Sequence, residues 1–287
     1  MIADRRLCIV GLGLMGGSLA QALRPHVPYI IGVDQHAATR QQALANGAIN
    51  KAASTLSAAA PEADVLIFAT PVRTILSDIR QLPALKPEGC FVLDLGSTKL
   101  AINEAMAQLP PSFAALGGHP MCGKEMAGYT ASDSQLYRHK TVILTRNART
   151  TPEVEAYVLE VLAKLGAIPM FLDALIHDQM VASVSHLPYV TAATLMRLVA
   201  EDANADLWHV SASGFRDTTR LAGSDPHMLL DILLTNRESV LEQIQGYQAA
   251  LAIFSNMLEE GDAAALAAWL SAAQRAHSAY RQVKEEK

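Results

Sequence analysis

A histidine set among glycines and a proline, Gly117-Gly118-His119-Pro120, is the residue in this chain best suited to proton chemistry. Histidine titrates near neutral pH, and a loop at a strand end, rather than a helix face, presents it to a reactant. Upstream, Gly11-Leu12-Gly13-Leu14-Met15-Gly16 carries G-x-G-x-x-G spacing between an apolar run and a helical one, an arrangement that brings a pyrophosphate to a helix N-terminus. Gly11 permits the tight turn, Gly13 lets the phosphates reach the backbone beside Leu12, Leu14 and Met15, and Gly16 lets helix and strand approach closely. Asp34 closes the next apolar run, Tyr29–Val33, at about the twenty-residue distance this motif requires. A carboxylate there accepts the ribose hydroxyls of NAD and repels a 2′-phosphate, so NAD is expected in preference to NADP. Arg40 is the side chain that could serve that phosphate instead. Thr70-Pro71 and Ser97 follow two further apolar runs, at the carboxyl edge where open parallel sheets bind ligands. Ser97 puts a hydroxyl where a nicotinamide or a substrate would lie.

These residues need a frame, and the chain supplies one. Short apolar runs at Leu7–Val10, Tyr29–Val33, Val65–Ala69, Phe91–Leu95, Ala114–Gly117, Thr141–Thr145 and Ile168–Leu172 predict strands of a parallel sheet covered by helices. The intervening patterns predict helices at Gly16–Leu23, Thr39–Asn46, Arg73–Gln81, Leu100–Gln108 and Pro152–Leu165. Thr151-Pro152 is shaped as a helix start, a capping hydroxyl followed by proline at the first helical position. Beyond Asp173 the strand signals stop, and Ala, Leu, Met and Gln at spacings of three and four predict helices, including long ones over Leu175–Ala200 and Asn236–Glu259. The expected fold is therefore α/β: a Rossmann-type doubly wound domain over residues 1–172, followed by an all-helical substrate and dimerisation domain over 173–287.

The chain of 287 residues is 51% hydrophobic and 18% charged, enough apolar surface to build a large core. A formal net charge of -5 argues against nucleic acid as a partner. The three cysteines, Cys8, Cys90 and Cys122, lack C-x-x-C spacing and read as reduced thiols of a cytoplasmic protein. The N-terminal residues read as neither signal peptide nor membrane anchor, and no metal site or membrane association is expected.

Together with Ser185-His186-Leu187-Pro188 and Ser213-Gly214-Phe215-Arg216-Asp217-Thr218-Thr219-Arg220, the histidine motif and the glycine motif, in this order, resemble the prephenate/arogenate dehydrogenase family of tyrosine biosynthesis. The resemblance runs over nearly the whole chain. It implies oxidation of a cyclohexadienyl ring alcohol by hydride transfer to NAD while the ring carboxylate leaves as CO2, so the small-molecule partner is prephenate or arogenate. By motif position His119 matches the histidine that takes the hydroxyl proton, and Ser97 the serine that orients either that histidine or the hydroxyl. Arg220 matches the arginine that holds the ring carboxylate, with Arg216 in reserve. Glu125 lies where relatives pair an acid with that arginine, and His186 has either a substrate contact or a supporting role. The resemblance also implies a homodimer through the helical domain. With no regulatory domain expected after Lys287, tyrosine would act, if at all, by competition at the active site.

Two other classes share part of this pattern. The β-hydroxyacid dehydrogenases also join a glycine-motif domain to a helical one, but they use a lysine in a G-x-x-x-K segment, and the helical half here has none before Lys284. A non-catalytic dinucleotide sensor would need neither His119 nor Arg220.

Overall fold

The computed structural model describes residues 2–123, 126–202, 204 and 206–285. The chain divides into two compact units, Met1–Arg237 and Glu238–Lys287. The first is built on an eight-stranded sheet in the order β3-β2-β1-β4-β5-β6-β7-β8, from β1 (Arg6–Val10), β2 (Tyr29–Val33), β3 (Lys51–Ala53), β4 (Val65–Phe68), β5 (Phe91–Asp94), β6 (Ala114–Pro120), β7 (Thr141–Thr145) and β8 (Ile168–Phe171). Around it lie α1 (Leu14–Leu23), α2 (Ala37–Ala45), α3 (Val72–Leu85), α4 (Leu100–Ala107) and α5 (Pro152–Leu165). Strands β1, β2 and β4 are apolar along nearly their whole length because both faces are covered. Alternation divides the core accordingly: Leu7 and Ile9 of β1 join the cluster on one face, Cys8 and Val10 the cluster on the other.

The sheet departs from the expected all-parallel order in one place. β7 runs antiparallel to β6, with His119 opposite Ile143 and Pro120 opposite Val142. A parallel return would have to carry the chain to the far end of the sheet, usually on a helix. Residues 121–140 contain only a short 3₁₀ turn, Tyr129–Ala131, among those described, so the chain re-enters from the end it left. That pairing extends β6 past the expected end at Gly117 and takes His119 into the strand rather than into a loop. The three-residue β3 was not expected; its Lys-Ala-Ala carries no β-branched residue.

Helix α5 forms where its caps place it. Thr151 accepts a hydrogen bond from Val154 N at 3.4 Å, Pro152 opens the helix and Gly166 closes it with a left-handed φ of 63°. After β8 the first unit continues through α6 (Ala174–Val181), a π turn at Ala182–His186, α7 (Leu187–Ala200), α8 (Leu207–Val210), α9 (Ser213–Thr219), a 3₁₀ turn at Arg220–Gly223 and α10 (Pro226–Thr235). The single long helix expected over Leu175–Ala200 thus carries a π bulge just before Pro188, which has no N–H to continue the regular ladder. The second unit consists of two 23-residue helices, α11 (Arg237–Glu259) and α12 (Ala263–Glu285). No described helix is long and apolar enough to cross a membrane.

Candidate active site

The glycine turn between β1 and α1 has the geometry its spacing predicts. Gly11 sits at φ +92°, and a Cβ on it would lie 2.8 Å from Ala69 O. A Cβ on Gly16 would lie 1.8 Å from Gly11 O, whereas one on Gly13 would meet nothing within 4 Å. Two of these glycines therefore serve the fold, and the third leaves open space over the helix N-terminus. Asp34 Oδ2 accepts from Leu12 N at 3.0 Å and Oδ1 from His36 N at 2.8 Å, so the carboxylate is held against the loop. Arg40 donates to the carbonyls of Asp34 and Gln35 at 2.6 and 2.9 Å. At the end of β4, Thr70 turns a buried hydroxyl toward no protein partner, and Pro71 precedes α3. An open cradle over N–H groups, a carboxylate at the second strand end and an unsatisfied buried hydroxyl together fit a dinucleotide.

Beyond β5 the turn containing half-buried Ser97 leads to Lys99, which is fully buried and ion-paired with the equally buried Asp94. Asp94 also accepts from Gly96 N at 2.8 Å and Gly118 N at 3.2 Å, while Lys99 Nζ donates to Gly118 O at 2.6 Å. Burial pushes Asp94 up and Lys99 down, and their mutual attraction opposes both shifts. The pair clamps β6 one residue before His119.

His119 itself faces α6. Its Nδ1 lies 2.8 Å from His177 Nε2, and His177 Nδ1 lies 2.7 Å from Asp178 Oδ1. His177 and Asp178 are 0% and 1% exposed. Asp178 further accepts from Lys99 N at 2.7 Å and Leu100 N at 2.9 Å, joining α6 to the start of α4. Desolvation, with His177, Lys99 and His186 adding to it, holds His119 well below the usual histidine range, so its ring is neutral at pH 7. His186 is buried in the π turn, with Nδ1 3.3 Å from Asn236 Nδ2, and Asn236 donates to Asp178 O at 2.7 Å. Burial pushes His186 down to about 4.

Of the residues singled out in the sequence, the sheet edge gathers the glycine loop, Asp34, Thr70, Pro71, Ser97 and His119, and α6 with its π turn brings His186 to the histidine cluster. Arg216 is exposed on α9 and paired with Asp217 at 2.9 Å. Arg220 is exposed at the 3₁₀ turn that packs against α7. The tightening at Arg220 means that the two arginines do not lie on one continuous α-helix. Glu125 lies outside the described residues. Lys99, His177, Asp178 and Asn236 were not singled out. The signal for His177-Asp178 is an adjacent ionisable pair in a largely apolar helical stretch between Ala174 and Val181. Among the described residues no three His, Cys, Asp or Glu stand together as metal ligands.

Residues 19–170 match the family description "Prephenate dehydrogenase, nucleotide-binding domain", and residues 173–272 match "Prephenate dehydrogenase, dimerization domain". The cyclohexadienyl dehydrogenase of Zymomonas mobilis is 30% identical, over 88% of this chain and 87% of its own length. The prephenate dehydrogenase of Lactococcus lactis is 32% identical, over 86% of this chain and 69% of that protein. Among solved structures, Aquifex aeolicus prephenate dehydrogenase in complex with hydroxyphenyl propionate and NAD+ superposes with a TM-score of 0.88 at 28% identity, covering 96% of this chain and 98% of that one. Synechocystis arogenate dehydrogenase gives 0.80 at 30% identity, with 96% and 99% covered.

Proposed function

Because this chain belongs to the prephenate dehydrogenase family, we propose that it oxidatively decarboxylates prephenate, arogenate or both, giving 4-hydroxyphenylpyruvate or tyrosine, with NAD preferred to NADP. The observation that carries this reading is the neutral, oriented His119 at the sheet edge that also holds the glycine loop and Asp34.

NAD, when bound, supplies the hydride acceptor. The glycine loop and α1 N-terminus would hold its pyrophosphate, Asp34 its ribose, and Thr70, Pro71 and Ser97 the edge nearest the nicotinamide. His119 accepts the ring hydroxyl proton as the carbinol C–H bond breaks, Ser97 orients that hydroxyl, and the C–C bond to the ring carboxylate releases CO2 with its electrons entering the aromatic ring. A base that is neutral at pH 7 can take this proton directly. Arg220 receives the ring carboxylate, a role for which its planar fork is suited, with Arg216 as the reserve and Glu125 as an acid partner to the arginine; His186 supports the cluster. Residues 1–172 form the dinucleotide part and 173–287 the substrate and dimerisation part of a cytoplasmic homodimer. The acidic balance of the chain argues against nucleic acid partners.

An absorbance assay crossing prephenate and arogenate with NAD and NADP tests this reading. Turnover with NAD on at least one substrate is the expected result. Silence in all four combinations, with dinucleotide binding intact, would overturn the substrate assignment.

A further inference from the structure

We propose that His177 and Asp178 are positioning residues that fix the tautomer of His119, protonating its Nδ1 and leaving Nε2 as the atom that accepts the proton. The proposal rests on reading His119 as the base.

The direction of the chain of contacts follows from its end. Asp178 accepts Lys99 N at 2.7 Å and Leu100 N at 2.9 Å, both fixed donors, and meets His177 Nδ1 at 2.7 Å. An ionised carboxylate only accepts, so His177 Nδ1 carries a proton. In a neutral imidazole the other nitrogen is then an acceptor. That nitrogen, His177 Nε2, lies 2.8 Å from His119 Nδ1, so His119 donates through Nδ1 and its Nε2 keeps a free lone pair. The competing arrangement makes His177 an imidazolium, with His119 protonated on Nε2 and unable to act as a base there. The surroundings disfavour it. Lys99 already places one cation in the buried cluster, and its counter-ion Asp94 is shared with the Gly96 and Gly118 amides. The carboxylate that would have to balance a second buried cation, Asp178, already accepts the Lys99 and Leu100 amides. The titratable groups facing His119 are Lys99, His177 and His186, and of the two buried carboxylates Asp94 pairs with Lys99 while Asp178 meets His177.

The same carboxylate sets more than the ring. Lys99 and Leu100, the cap and first residue of α4, come just after Ser97-Thr98, so Asp178 holds the serine turn and the histidine to one reference point.

The decisive measurement is the 15N spectrum of histidine-labelled protein, with His119 identified by its absence in His119→Asn. The expected result is a pyrrole-type Nδ1 and a pyridine-type Nε2. A protonated Nε2 on neutral His119 would overturn the proposal, and this reading needs no variant at position 177 to fold. Kinetics give the second arm. His177→Leu is expected to lower kcat by at least about tenfold, part of the ~10²–10⁴ that a general base contributes, with KM little changed. His177→Gln, whose amide can accept from His119 Nδ1, should recover most of the loss. Wild-type kcat in His177→Leu would overturn the proposal. A silent assay beside the expected spectrum would count against the substrate reading and leave the tautomer assignment standing.

Discussion

A histidine kept neutral by its surroundings has a definite pH signature. For His119 and His186 the folded-state pKa lies below the ordinary histidine value. Between the two values the unfolded chain binds more protons, so stability is fully present above the usual histidine pKa and is lost as pH falls toward the folded value. For His186, lowered from 6.5 to about 4, the stability lost is on the order of 3 kcal/mol. Thermal midpoints should therefore fall as pH drops from 6.5 toward 4, and His186→Gln should flatten that slope; equal slopes would remove His186 as its source. Replacement of His119 by asparagine should cost about 10²–10⁴ in kcat with substrate binding retained, so loss of binding alone would count against its role. At the other end of the site, Asp34→Ser should improve the use of NADP relative to NAD, measured as the ratio of the two kcat/KM values. Arg40 already spends a guanidinium nitrogen on two carbonyls, so the gain should be smaller than a free arginine would give.

At the scale of elements, the glycine turn separates folding from binding. Gly16→Ala forces a methyl against Gly11 O and should lower stability by about 1–3 kcal/mol, the usual cost of overpacking. Gly13→Ala meets no protein atom, so its melting temperature should match the parent while dinucleotide affinity falls in calorimetry. Equal affinities would show that nothing approaches Gly13. This turn was legible from sequence because the need for glycine is local, as was the start of α5, which Thr151 and Pro152 mark. The antiparallel β7 was not, because strand direction depends on where a connection returns, and an apolar run such as Thr141–Thr145 reads identically either way. The histidine pair escaped for a related reason: His177 and His119 are far apart in sequence, and only docking of α6 makes them neighbours. Asp178 alone on a helix reads as a surface carboxylate, whereas here it accepts three donors.

Over the whole molecule, the helices of the second unit expose large apolar side chains. Leu251 and Ile253 of α11 are 49% and 52% exposed, and Leu270 and Val283 of α12 are 58% and 60%. So much apolar surface on two long helices fits an assembly interface. Sedimentation should give a dimer whose melting temperature rises with protein concentration, and Leu251→Asp with Leu270→Asp should shift it toward monomer and weaken that concentration dependence; an unchanged parent-like dimer would place the interface elsewhere.

The bond between His119 on β6 and His177 on α6 also has a consequence in the order of synthesis. A ribosome releases the N-terminal residues first, so the glycine loop, Asp34 and the Ser97 turn leave the tunnel well before His177, and Asn236 comes later still. A product that stops short of His177 can thus possess a complete dinucleotide loop and yet lack the partner proposed to orient its base, so the emergence of α6 is the step that arms the site.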